Sequence, residues 1–188
     1  WCPTQEQFAN TSATEQFFSG QGAMFFAGSW DLVNLCSTYT DMNGKWDVAV
    51  LPKCPNPESG DGRAVISNSV SYATAAEGKN KDTAMDFLKF LASEEGQKIQ
   101  GESGVAIPAY NGLEDTWVNT FAEKGYDIHP ENIIPMFDYS VKYVNNPSRP
   151  SWEPKVEQAV LDIYAGNTSV DDGIQNMQNI VTEAIAEE

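Results

Sequence analysis

The sequence predicts an α/β chain that becomes helix-rich in its C-terminal half. Short apolar runs bounded by turn residues come early, at Gly22–Ala27 and Trp46–Leu51, and read as strands. Helical spacing of apolar residues takes over from about residue 82 onward. A length of 188 residues allows one ordinary domain, or one lobe plus pieces of another.

In chain order, Ser12 followed by Glu15 reads as a capping box for a short helix stopped at Gly20. The Gly22–Ala27 run predicts a strand buried on both faces, ended by Gly28, with Ser29 placed to cap a helix through Leu32, Val33 and Leu35. Trp46–Leu51 predicts a second strand closed by Pro52, and Lys53–Arg63 an exposed loop. Residues 64–75 are β-prone but broken by Ser67-Asn68-Ser69. Helices are predicted over 82–92, from a Ser93 cap to an end at Gly101 and Gly104, from an opening at Asn111 and Glu114 to Gly125, over 152–165, and over 170–186.

The 27 acidic and 11 basic side chains give a net charge of -16, and no basic cluster exists to neutralise phosphates, so nucleic acid is excluded as a partner. No apolar run approaches the roughly 20 residues of a membrane span. The first residues, Trp1 to Gln5, show neither initiator Met nor signal sequence, so the chain is expected to be a processed product or fragment. Cys2, Cys36 and Cys54 match no zinc spacing and His129 stands alone, so no metal or cofactor is expected. Cys36 and Cys54 are either bridged or buried free thiols.

The segment from Gly20 to Trp30 carries the most chemistry. A buried strand, a glycine turn and a helix start bearing an aromatic residue place Trp30 where open α/β sheets collect ligands, at a strand's carboxyl end. There the indole either stacks on a sugar ring or packs as core.

Phe18, Gly20, Gly22-Ala23-Met24, Gly28 and Trp30, at their spacing, resemble a stretch of the extracellular solute-binding proteins of ABC importers, the family that includes maltose-binding protein. The run Lys81 to Gln97 is similar to that family's helix pair, and Gly104-Val105-Ala106-Ile107-Pro108 to its sequel. Trp152 through Val170 resembles the closing helices, with Gly173 where alanine is usual. The matches keep the family's order.

The resemblance implies a periplasmic-binding-protein-like α/β fold, mostly its second lobe. Residues 1–70 would form the α/β part with the solute-contact turn. Residues 71–109 would cross to a first lobe outside this chain, leaving Phe87, Phe90 or Leu91 exposed here or buried in a non-native contact. Residues 110–188 would complete the second lobe. It implies solute contact by Trp30 and Ser29, by Trp152 unless that ring is core, and by Ser67 and Asn68 in the crossover. Arg149 is expected to be solvated or to clamp a polar group, and Trp117, Tyr139 and Tyr143 to be core.

The implied function is non-catalytic. A carbohydrate, expected to be an oligosaccharide, is bound between two lobes and delivered to ABC permease subunits. The expected location is extracellular, lipid-anchored at the cell surface or periplasmic, with any anchor outside this chain. The alternatives are a sugar-active enzyme fragment, glycosidase or lyase, and a carbohydrate-binding or adhesion module. The paired acids Asp171-Asp172, Glu94-Glu95 and Glu187-Glu188 fit helix first turns and a chain end, so no catalytic residue is assigned.

Overall fold

Residues 10–57, 60–142 and 146–187 are described in a computed structural model. Contacts divide the chain into two units, Trp1–Phe25 with Tyr143–Glu188, and Phe26–Lys142.

The first unit contains α1 (Ala13–Phe18), α6 (Arg149–Tyr164) and α7 (Val170–Ala186). The capping box forms as expected. Ser12 Oγ accepts the Glu15 N–H at 3.2 Å, and Glu15 Oε2 accepts the Ser12 N–H at 2.9 Å. Phe17 and Phe18 of α1 pack against Phe25 with ring centroids 5.0 and 6.4 Å apart. Helix α6 begins earlier than the expected Trp152, because Pro150 suits a first turn that needs no N–H at that position. Ser169 caps α7 at 3.1 Å through the Asp172 N–H. Helices α6 and α7 form an antiparallel hairpin, and Gly173 explains its own departure from alanine: Ile163 fills the space a Cβ there would occupy.

The second unit contains α2 (Leu32–Thr38), β1 (Val65–Ser67), α3 (Lys81–Leu91), α4 (Glu94–Ser103), α5 (Glu114–Glu123) and β2 (Ser140–Lys142). A 3-10 segment, Pro130–Tyr139, leads into β2. Its core is the α4–α5 contact. Trp117 and Phe121 are both fully buried, meeting edge to face at 5.1 Å. Gly101 lets the helices approach, since a Cβ there would enter the space of Thr116 Oγ1. The buried indole N–H of Trp117 donates to Gly104 O at 3.0 Å. Leu32, Leu35 and Cys36 are buried on α2, whose Val33 lies against Gly104.

Ser93 caps α4 as expected, and buried Gln97 joins three segments. Its Nε2 donates to Leu91 O at 2.8 Å, while its Oε1 accepts the Ala109 N–H at 2.8 Å. Both ends of a buried amide are thereby satisfied.

Strands β1 and β2 are parallel, with Val65, Ile66 and Ser67 opposite Ser140, Val141 and Lys142. The two strands expected from the apolar runs do not form among the described residues. Residues 22–27 belong to no strand and bend at Ala23, with Met24 88% and Phe26 82% exposed. An apolar run prepares a chain for a sheet, but only a neighbouring strand completes the ladder. Residues 46–51 are unpaired as well. Helix α3 has no buried residue, and its Phe87 and Phe90 are exposed, as expected for the 81–92 segment. No helix of the described residues is long and apolar enough to cross a membrane.

Replacing Gln97 by Leu leaves the Leu91 carbonyl and the Ala109 N–H without their partner. The expected cost is about 2–4 kcal/mol in urea unfolding, against roughly 0.5 kcal/mol or less for exposed Lys98→Ala.

Candidate functional site

Trp30 lies in a 3-10 turn, Ser29–Asp31, that runs directly into α2. Gly28 precedes it in extended conformation, φ -92° and ψ 155°, and its carbonyl accepts the Asp31 N–H at 3.0 Å. Buried Leu32, Leu35 and Cys36 hold the following helix on the core. The turn is therefore fixed from one side while Trp30 remains 53% exposed.

Gly28 does more than end a run. The benzo carbons of the Trp30 indole, Cε2, Cζ2 and Cη2, lie where a Cβ at position 28 would stand. The ring folds back over the bare Cα and is seated there, with much of its surface still open. Trp30 is thus neither free in solvent nor sealed in the core. Ser29 is half-buried beside it, and Gly28 rather than Ser29 occupies the capping position.

Ser67 closes β1, half-covered, and Asn68 follows it exposed. Both belong to the same unit as Trp30. Trp152 belongs to the other unit, is 8% exposed, and donates its ring N–H to Asn146 Oδ1 at 3.1 Å. Those features suit a packed residue of α6. Arg149 grips Glu153 with Nε–Oε2 at 3.0 Å and Nη2–Oε1 at 2.7 Å. Trp117 is core as expected, Tyr139 is half-buried beneath Arg63 at 4.9 Å, and Tyr143 lies outside the described residues.

Cys36 and Cys54 are free thiols, one on the buried face of α2 and the other in the exposed loop. Burial pushes the Cys36 thiol up to about 11, which makes it unreactive. Cys2 lies outside the described residues. Among the described residues no three His, Cys, Asp or Glu side chains gather to hold a metal. The acids Asp171 and Asp172, and Glu94 and Glu95, occupy helix first turns.

Polar side chains do for the 43–48 segment what a strand was expected to do. Asn43 gives its amide N–H to Gly125 O at 3.0 Å and accepts the Asp127 N–H at 2.8 Å. Asp47 Oδ1 accepts the His129 N–H at 2.8 Å, and Asn132 donates to Val48 O at 2.9 Å. His129 Nδ1 and Asp47 Oδ2 are 2.6 Å apart. Alongside is an open pocket of about 300 Å³ lined by Gly44, Lys45, Trp46, Asp47, Asp127 and His129. The sequence offered one cue to this fastening, the Asn and Asp residues flanking Trp46, but no cue to their partners some eighty residues away.

The hydrogen bond to Asp47 and the charge of that carboxylate raise the His129 pKa, with Glu131 and Asp127 adding to the effect. Partial burial alone would raise the Asp47 carboxyl, but hydrogen bonds from His129 and Val48 outweigh it and hold it low. A raised His pKa adds stability that is complete below about 6.5 and is lost as pH climbs through the folded value. A lowered Asp pKa adds stability that is lost as pH falls through its folded value.

The His129–Asp47 tie is therefore strongest in mild acid. Hydrogen-exchange protection of residues 125–132 is expected to fall as pH rises past neutrality, and His129→Gln is expected to flatten that dependence. Gly28→Ala tests the seat of the indole. Alanine tolerates the backbone angles at 28, so thermal unfolding stays within about 1 kcal/mol while the ring is displaced. Acrylamide quenching of the Trp30 emission, taken as the difference from Trp30→Phe, is expected to increase.

No curated protein matches the chain. The sequence profile described as bacterial extracellular solute-binding protein matches residues 2–98, a span that includes the Gly28–Trp30 turn, helix α3 and the start of α4. That match covers more than half of the chain and takes in two of the stretches that carried the resemblance, Phe18–Trp30 and Lys81–Gln97; Gly104–Pro108 and Trp152–Val170 lie beyond it. The chain belongs to the bacterial extracellular solute-binding protein family.

Proposed function

We propose that this chain is the greater part of the second lobe of an ABC-importer receptor, and that it binds a carbohydrate, an oligosaccharide for preference, without chemical change. The observation that carries this reading is the half-exposed indole of Trp30, seated over Gly28 on a turn anchored to the core. A rigid aromatic face with a hydroxyl beside it suits a sugar, whose ring presents C–H groups on one side and hydroxyls around its edge. Ser29, Ser67 and Asn68 supply hydrogen-bonding groups in the same unit. Trp152, buried and engaged with Asn146, supports the fold of α6 in this reading and does not touch the solute.

The division proposed for the intact protein has residues 1–70 and 110–188 in the second lobe and 71–109 crossing to the first. Two observations support it. The α3 helix has no buried residue and exposes Phe87 and Phe90, and the 22–27 segment exposes Met24 and Phe26. Apolar surface of this kind is suited to cover by a further sheet and lobe in a periplasmic-binding-protein-like fold. The solute contacts the closed arrangement of two lobes better than the open one, and that difference shifts the hinge equilibrium. The loaded form then docks on permease subunits at the outer face of a membrane, to which the receptor is held by a lipid anchor or in whose periplasm it moves.

The test is a calorimetric screen of neutral and acidic mono- and oligosaccharides against the full-length protein. At least one is expected to bind, and Trp30→Ala is expected to weaken it by about tenfold or more. Affinity left unchanged by that substitution removes Trp30 from the site.

A further inference from the structure

We infer that Lys142 belongs to the solute site and that the solute carries a carboxylate, as in a saccharide containing uronic acid. The inference rests on the receptor reading and specifies its substrate. Strands β1 and β2 are parallel and in register, so Ser67 and Lys142 stand opposite each other at the last pair. Cross-strand partners point to the same face of a sheet, here the face of Val65 and Ser140 and not that of exposed Ile66 and Val141. In parallel α/β sheets the carboxyl ends of the strands are where ligands collect, and Asn68 continues the chain from that same end.

The charge pattern singles out this lysine. Lys53 and Arg63 are engaged by Asp61, Lys89 by Asp86, Lys98 by Glu102, and Arg149 by Glu153. Lys45 and Lys124 donate to main-chain carbonyls. Lys142 is exposed and has no ion pair or hydrogen bond among the described residues, in a chain with 27 acids to 11 bases. Lys79, Lys81 and Lys155 are likewise unengaged among the described residues, but they lie beside the start of α3 or on α6, and none belongs to a strand.

A net charge of -16 repels an anionic solute at long range, so holding one needs a local cation with unused donors. An ammonium has donors only, and its strongest partner is a carboxylate or similar anion. The Ser67 hydroxyl and the Asn68 amide beside it suit the neighbouring sugar hydroxyls.

The experiment titrates the full-length protein with length-matched pairs of oligosaccharides, neutral and uronate-bearing, from glucose, galactose and mannose series. Wild type, Lys142→Gln and Trp30→Ala are compared at low salt and at about 0.3 M. The uronate member of one pair is expected to bind about tenfold or more tighter than its neutral partner, with the advantage shrinking in salt. Lys142→Gln is expected to abolish that advantage while the thermal midpoint stays unchanged. If neutral members bind as well as or better than their partners, with Lys142→Gln silent and Trp30→Ala weakening binding, the acidic solute is overturned and the receptor reading stands. If no member of any pair binds, both are overturned.

Discussion

The close approach of α4 and α5 is the constraint on which the Phe26–Lys142 unit depends. Without a side chain at Gly101, Thr116 can lie against the helix, and Trp117 and Phe121 become fully buried. A buried indole N–H needs an acceptor, and the carbonyl of Gly104 provides it where α4 ends. Gly104 has φ +80°, a left-handed conformation that favours glycine, so one residue ends the helix, bonds the tryptophan and admits Val33 of α2. Gln97 then ties the same helix to Leu91 and Ala109. A few residues thus join four segments.

That core gives the candidate site its rigidity. Helix α2 is fixed by Leu32, Leu35 and Cys36, and the turn at its start inherits their position. Trp30 lies over Gly28, so the turn itself sets the position of the indole, as the proposed solute contact would need. Preorganisation of this kind lowers the ordering cost of binding, which matters where contacts are mostly stacking and single hydrogen bonds. Family membership supplies the solute-binding role in general terms. The seat of the indole is a physical detail that the family's name does not contain.

The two segments read as strands from their apolar runs end differently. Residues 43–48 meet 125–132 through Asn43, Asp47, Asn132 and His129, whose side chains take the place of strand-to-strand bonds. Residues 22–27 have no paired strand among the described residues, and Met24 and Phe26 face outward. Polar side chains can fasten a chain locally, whereas an apolar strand needs another strand and a covered face.

Much of the helical structure was legible in the sequence because its signals are local. Ser12 with Glu15, Ser93, and Ser169 each cap the helix they were read to start, and Gly104 and Gly125 stop theirs. The sequence pattern puts Trp30 at the carboxyl end of a buried strand; that strand does not form among the described residues, and the glycine turn alone places the ring. Tertiary structure decided what depends on distant partners. It left the Gly22–Ala27 run unpaired, buried Trp152 against Asn146, and set Lys142 opposite Ser67. A residue's spacing fixes its own helix face or turn, but strand pairing, register and exposure depend on segments tens of residues away, to which no local pattern points.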